Sequence, residues 1–300
     1  MRRERPSWES LRSIREVARG WRWGRPSPQP RSARVPALRS EGSFETAWAR
    51  EPLASTTRDV FQELALLPAL RWLSSPTVRG RERLTGIRQP AVIAANHTSH
   101  LDTAIVIEAM PLRWRHKLAV GGAADYFFKG KVRGTLAALL IGAFPVERKR
   151  ASAVSARLAV DLVKDGWNLI LFPEGGRSED GWLQELKPGA AFVAARAKRP
   201  LVPMWITGTE HLLPKGAKRL RRGNVDVLIG DPLFPAEGEG PRELHARFEV
   251  ALKRLAAEAT TDWWTAMRAP DGDPYGPEAA RWRRVWARGE RERGGGAAWD

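Results

Sequence analysis

The sequence predicts an α/β domain with a mostly parallel central sheet flanked by helices, preceded by an amphipathic helical segment. Short and almost fully apolar runs recur at 91–95, 117–121, 143–146, 168–172, 201–206 and 225–229. Their length and lack of polar alternation mark strands buried on both faces. Segments with helical spacing stand between most of them, and strands alternating with helices build parallel sheets covered on both sides. Polar residues gather just after three of the runs, where open α/β sheets form their sites.

The first element is a helix over 57–73, with Val60, Phe61, Leu64, Leu66, Leu67, Leu70 and Leu73 apolar. Pro68 is expected to kink or end it. Its broad apolar face suits either packing on the main domain or contact with a bilayer interface. Strand 91–95 ends at Asn96, and a helix is expected over 99–110. Strand 117–121 leads to a helix over 126–140 and strand 143–146. Helix 152–165 stops at Gly166 before strand 168–172. Helix 189–198 and strands 201–206 and 225–229 follow. A long helix over 243–267 closes the domain, with Leu244, Phe248, Leu252 and Leu255 on one face.

These elements divide the chain into a basic, disordered arm (1–45), an amphipathic helical segment with possible membrane contact (46–80), the α/β domain (81–268) and an irregular basic tail (269–300). Trp21 and Trp23 in the arm suit interfacial anchoring or a solubilising tail equally. There is no internal repeat. The 300 residues carry a net charge of +16, which attracts polyanions such as anionic lipid headgroups or nucleic acid. The absence of cysteine excludes disulfides, thiolate metal sites and thiol nucleophiles. No apolar stretch follows the charged N-terminus, and none is long enough to span a bilayer. The expectation is peripheral or monotopic attachment, at the cytoplasmic face of the plasma membrane.

Three segments carry candidate chemistry. In Asn96-His97-Thr98-Ser99-His100-Leu101-Asp102, a histidine leaves a buried strand and the chain turns so that a carboxylate can reach back to it. An imidazole titrates near neutrality and suits a general base, and a carboxylate on its other nitrogen fixes the tautomer. The N–H groups of the helix start are candidates to face an oxyanion. The ordinary reading is a helix cap, because Ser99 and Asp102 have capping-box spacing. Phe172-Pro173-Glu174-Gly175-Gly176-Arg177-Ser178 joins a tight glycine turn to a guanidinium suited to phosphate oxygens. Its ordinary reading is a surface turn. The strand at 143–146 delivers Arg148 at the head of a cluster with Lys149 and Arg150, and such strand ends usually just face water.

Together, these segments resemble the glycerolipid acyltransferase family, of the lysophosphatidate acyltransferase type. Its hallmark Asn-His-x-Ser-x-x-Asp is matched at every fixed position of 96–102. Its second block is matched by Phe144 and Arg148. Its third, Phe-Pro-Glu-Gly-Thr-Arg-Ser, is matched at 172–178 except that Gly176 replaces Thr. Its apolar-Pro-apolar block is matched by Val202-Pro203-Met204. The order and spacing agree over roughly residues 80–235.

The resemblance implies a glycerol-3-phosphate acyltransferase-like fold and transfer of a fatty acyl group from acyl-CoA or acyl-carrier protein to a lysophospholipid hydroxyl. Lysophosphatidic acid is the default acceptor, and other lysophospholipids or glycolipids are the alternatives. It implies His97 as general base and Asp102 as its partner. Arg148, Glu174, Gly175 and Arg177 would hold the acceptor's phosphate, with Ser99 and Lys187 beside the substrate and Pro203 shaping the floor. The absence of a hydroxyl at Gly176 bears on the acceptor more than on the chemistry. No cofactor, metal or nucleic-acid partner is expected, and an anionic membrane surface is.

Two rivals remain. His97, His100, Asp102 and His116 match zinc patterns only loosely. A non-enzymatic basic module binding nucleic acid or membrane would use the charge and the interleaved Trp and Arg, but no nucleic-acid motif is present. A serine hydrolase lacks its Gly-x-Ser-x-Gly elbow.

Overall fold

A computed structural model describes residues 44–147, 153–214, 217, 219–261, 263–268, 274–276, 283–284 and 286–287. Residues 1–43 of the expected arm therefore lie outside the described residues, as do Arg148, Lys149, Arg150 and most of the tail.

In chain order, α1 (Pro52–Phe61) continues through a π-helical turn (Gln62–Leu66) into α2 (Leu67–Ser74). There follow β1 (Pro76–Arg79), β2 (Val92–Ala95), α3 (Asp102–Ala109), α4 (Leu112–Arg115), β3 (Leu118–Ala123), α5 (Ala124–Phe127), α6 (Lys131–Ile141) and β4 (Ala143–Val146). Next come α7 (Ala153–Lys164), β5 (Asn168–Leu171), α8 (Gly189–Ala197), β6 (Leu201–Thr207) and α9 (Thr209–Leu212). The last elements are β7 (Val225–Ile229), α10 (Pro241–Thr260) and α11 (Trp263–Arg268).

The sheet runs β1-β7-β6-β2-β5-β3-β4. Every neighbouring pair is parallel except β6 with β7. The period-two pleat sends alternate residues to two cores. Ile93, Ala95, Ile170, Val202 and Met204 pack with α2, α3 and Trp114 on one face. Val92, Ala94, Leu169, Leu201 and Trp205 pack with α7, α8 and α10 on the other. Both faces are covered, which is why the strands read as continuous apolar runs.

Several expectations needed correction. Pro68 does not end the first helix. The Leu67 N–H bonds to the Gln62 carbonyl across a wide π turn, and the helix resumes with Pro68 in its first turn, where a missing N–H costs little. The expected helix over 126–140 divides, because Gly130 takes an extended conformation and caps α6. The expected helix over 243–267 breaks at Thr261, where the Thr260 and Thr261 hydroxyls bond back to the Ala257 carbonyl. β1 falls inside the segment expected to be helical.

Adjacent strands β2 and β5 place the site. After β2 the chain crosses into α3 on one face, and after β5 it reaches α8 on the other. Two neighbouring strands whose connections part to opposite faces leave a crevice at their carboxyl ends. His97 and Glu174 stand there.

Candidate active site

Asn96 ends β2 by imitating a strand. Its Nδ2 donates to the Ile206 carbonyl (2.9 Å) and its Oδ1 accepts the Ile206 N–H (2.7 Å), so a buried side chain completes the pairing with β6 while the backbone turns away. The next residue, His97, stacks on Phe172, with ring centroids 4.1 Å apart and planes at 19°. Its Nδ1 lies 2.8 Å from Asp102 Oδ2. With a carboxylate as partner, Nδ1 carries the proton and Nε2 keeps its lone pair. The His97 side chain is 17% exposed, so the ring is reachable, whereas that of Asp102 is fully buried at 0%.

Asp102 is the first residue of α3, and its Oδ2 reaches back to the turn before the helix, accepting the Thr98 N–H at 2.7 Å and the Ser99 N–H at 2.8 Å. The N-cap position of α3 is Leu101 and carries no side-chain cap bond, so Asp102 ties the turn and orients the histidine rather than capping the helix. Oδ1 accepts the hydroxyl of Thr209 (2.5 Å), a residue buried at the start of α9, and Thr209 in turn meets the Thr98 hydroxyl at 3.0 Å.

The loop after β5 grips the His97 peptide from both sides. Glu174 Oε1 accepts the His97 N–H (2.5 Å), and the His97 carbonyl accepts the Ser178 N–H (2.8 Å). Glu174 Oε2 accepts the Gln184 N–H (2.9 Å). Burial pushes the Glu174 carboxyl up to about 8, against the pull of these two N–H donors, and the nearby Asp102 and Asp180 charges push it the same way as burial. Glu174 is a brace beneath the site rather than a headgroup contact, since both its oxygens serve backbone N–H groups.

Gly175 takes φ +69°, a conformation that glycine adopts without strain, and its N–H closes a turn on the Phe172 carbonyl (3.0 Å). A Cβ there would lie 2.7 Å from Lys187 Nζ, so this exposed ammonium rests against the turn. Half-buried Arg177 acts on the first block: burial, then the Arg177 charge, push His100 down to about 4. His97, Asp102, Glu174, Gly175, Arg177 and Lys187 are therefore brought to one crevice.

Ser99 and Pro203 are placed otherwise than expected. Ser99 is fully buried, its hydroxyl donating to the Leu213 carbonyl (2.9 Å) and accepting the Leu101 N–H (3.2 Å). Pro203 lies inside the sheet opposite Ala94, and its carbonyl accepts the Gly230 N–H (2.8 Å). A strand residue directs N and C=O to the same side, so its missing donor falls where β7 has already ended.

Sequence reasoning missed Thr209 and Gln184. Thr209 follows a strand end, the same signal that singled out His97, but a lone threonine after Gly208 does not stand out. Gln184 acts through its backbone and leaves no mark in sequence. His116 bonds Asp59 of α1 at 2.8 Å rather than joining His97. Among the described residues no three His, Asp or Glu side chains converge as metal ligands.

The site thus sets a buried carboxylate against a reachable imidazole at the carboxyl ends of a mostly parallel sheet. Residues 75–207 match the family model described as Acyltransferase. The chain is similar to the chloroplastic 1-acyl-sn-glycerol-3-phosphate acyltransferase of Brassica napus, at 31% identity over 54% of this chain and 46% of that one. It is 29% identical to 1-acyl-sn-glycerol-3-phosphate acyltransferase alpha of Homo sapiens, over 58% of this chain and 61% of the relative. It thus spans about half the length of the curated plant relatives it matches. The fold is similar to that of the 1-acyl-sn-glycerophosphate acyltransferase PlsC from Thermotoga maritima, with a TM-score of 0.50 and 24% identity over 73% of this chain and 87% of that one.

Proposed function

We propose that this protein is an O-acyltransferase that moves a fatty acyl group from acyl-CoA or acyl-carrier protein to the free hydroxyl of a lysophospholipid. Lysophosphatidic acid is the acceptor of choice and phosphatidic acid the product. The observation that carries the reading is the 2.8 Å contact between His97 Nδ1 and Asp102 Oδ2, which leaves Nε2 as a reachable base. The relatives' names support the acceptor class.

The chemistry balances without a further reactant. The acceptor hydroxyl gives its proton to His97 Nε2 as its oxygen attacks the thioester carbonyl carbon. The tetrahedral intermediate re-forms its carbonyl and expels the thiolate, which takes the proton from His97. Asp102 stabilises the transient imidazolium. Arg177 and Lys187, with Arg148 outside the described residues, are the cations we assign to the acceptor phosphate. We assign no metal or other cofactor, because the thioester is already an activated donor.

We place the protein peripherally on an anionic membrane, at the cytoplasmic face of the plasma membrane. α1 packs against α6, and Gln62 Nε2 bonds the Leu140 carbonyl (3.0 Å). Away from that contact the helical segment exposes Leu53 (82%), Leu64 (77%) and Trp72 (70%), and α6 exposes Val132 (75%). Such apolar side chains, backed by the +16 charge, suit an interface rather than water. No helix among the described residues is long and apolar enough to cross a membrane.

The test is acyl transfer by the purified protein in anionic liposomes, with lysophosphatidic acid and long-chain acyl-CoA. The reading expects thiol and phosphatidic acid in equal amounts. Folded protein that yields neither, with acyl-carrier-protein donors and other lysophospholipids also tried, overturns it.

A further inference from the structure

The C-terminal segment, which lies beyond the matched region, closes on the loop that grips His97. That loop spans residues 178–184. Asp180 organises it: Oδ1 accepts the Ser178 hydroxyl (3.0 Å) and the Trp182 N–H (3.2 Å). Asp180 Oδ2 accepts Arg284 Nε at 2.6 Å, and the two side chains are only 11% and 21% exposed. Burial pushes the Asp180 carboxyl up, but the bonds from Arg284, Ser178 and Trp182 outweigh it and hold the group below the usual carboxylate range.

The contact is reciprocal. Trp182 Nε1 donates to the Arg284 carbonyl (2.8 Å), and the Leu183 N–H to the Pro274 carbonyl (2.9 Å). A second guanidinium nitrogen of Arg284 donates to the Tyr275 carbonyl (2.9 Å), so one arginine ties the loop to its own segment. Gly276 lies so close to the Trp182 ring that no side chain fits there. Trp182 is 6% exposed under this cover.

Two routes then lead from the loop to the proposed base. The Ser178 N–H holds the His97 carbonyl at 2.8 Å. The Gln184 N–H holds Glu174, which holds the His97 N–H. The ends of the braced loop therefore fix both backbone polar groups of one residue.

We propose that Arg284 is a positioning residue for acyl transfer, setting His97 through the Asp180 loop. The catalytic part of this inference rests on the acyltransferase reading above. A partly buried ion pair loses strength in both directions when one member is removed, and misplacing a base by about 1 Å costs on the order of 100-fold in rate.

The experiment uses the full chain and two readouts, kcat on liposomes and hydrogen exchange of the 178–184 amides. Arg284→Ala and Asp180→Asn are each expected to speed exchange across 178–184 and to lower kcat about 10- to 100-fold, with the acyl-donor KM unchanged. Arg284→Lys, which keeps the charge, restores most of the rate. The double variant is no slower than the slower single one, because both substitutions cut the same link. Wild-type exchange and kcat in Arg284→Ala overturn the proposal, and so do losses that multiply in the double variant. If the wild type transfers no acyl group, the acyltransferase reading falls, and exchange alone judges the brace: faster exchange in Arg284→Ala supports it and unchanged exchange overturns it. If Arg284→Ala does not fold, Asp180→Asn carries the same comparison.

Discussion

Asp102 Oδ2 meets His97 Nδ1 at 2.8 Å while accepting the Thr98 and Ser99 N–H groups, so one buried oxygen both orients the imidazole and fastens the turn before α3. A carboxylate bound to that turn alone would leave the imidazole free to rotate, and a surface dyad would leave the carboxylate in water. Here neither holds.

Asp102→Asn should therefore lose stability and rate together. An amide retains one carbonyl oxygen but sets an NH₂ against existing donors. A buried group left unpaired costs about 1–3 kcal/mol. Denaturant unfolding measures the stability loss, and kcat per folded molecule the rate loss. The expected rate loss exceeds what the unfolded fraction explains; normal turnover per folded molecule would leave Asp102 as a fastener of the turn alone.

Thr209→Val keeps the volume and deletes the hydroxyl on Asp102 Oδ1. We expect kcat to fall about tenfold, in line with the roughly 1.5–3 kcal/mol of a hydrogen bond to a charged group. Thr209→Ser should restore the rate. Wild-type kcat in Thr209→Val would remove Thr209 from the working site.

Glu174 gives a pH signature in folding. Its carboxyl is raised from 4.5 to about 8 by burial, so between those values the folded chain holds a proton that the unfolded chain has released. Stability from this group is complete below about 4.5 and is lost as pH rises through about 8. Relative to Glu174→Gln, the wild type should therefore weaken across this window. Unfolding curves at several pH values measure the difference, and parallel pH dependences for the two proteins would contradict the assignment.

Leu64→Glu tests the membrane face without touching the core, since Leu64 is 77% exposed. Removing one inserted leucine forfeits about 1.5–3 kcal/mol, or roughly 10- to 100-fold in vesicle partitioning. Flotation with anionic vesicles should show that loss with Tm unchanged. Equal flotation would place the interface elsewhere.

Much of this architecture was legible because buried parallel strands leave a plain mark. The runs at 143–146 and 225–229 coincide with β4 and β7, and those at 91–95 and 201–206 differ from β2 and β6 by one residue at an end. Strand order and the antiparallel turn of β7 depend on where the chain returns, which local pattern does not encode. The π turn before Pro68 was likewise hidden, because proline announces a break and not its remedy. In the site, His97 and Asp102 stood out as polar residues leaving an apolar strand. Thr209 did not, because it reaches the crevice from a distant segment and only the folded chain brings it there, and Gln184 did not, because it acts through its backbone. Ser99 and Pro203 belong to the motif pattern but lie inside the scaffold, so a motif position reports need without telling packing from contact.

The most direct test of the central claim is the rate of phosphatidic acid formation by His97→Ala beside the wild type, in the same anionic liposomes with lysophosphatidic acid and acyl-CoA. A base at His97 Nε2 predicts a loss of about 100- to 10,000-fold with the fold intact by circular dichroism. Turnover within a few-fold of the wild type would contradict it and place the proton transfer on another group.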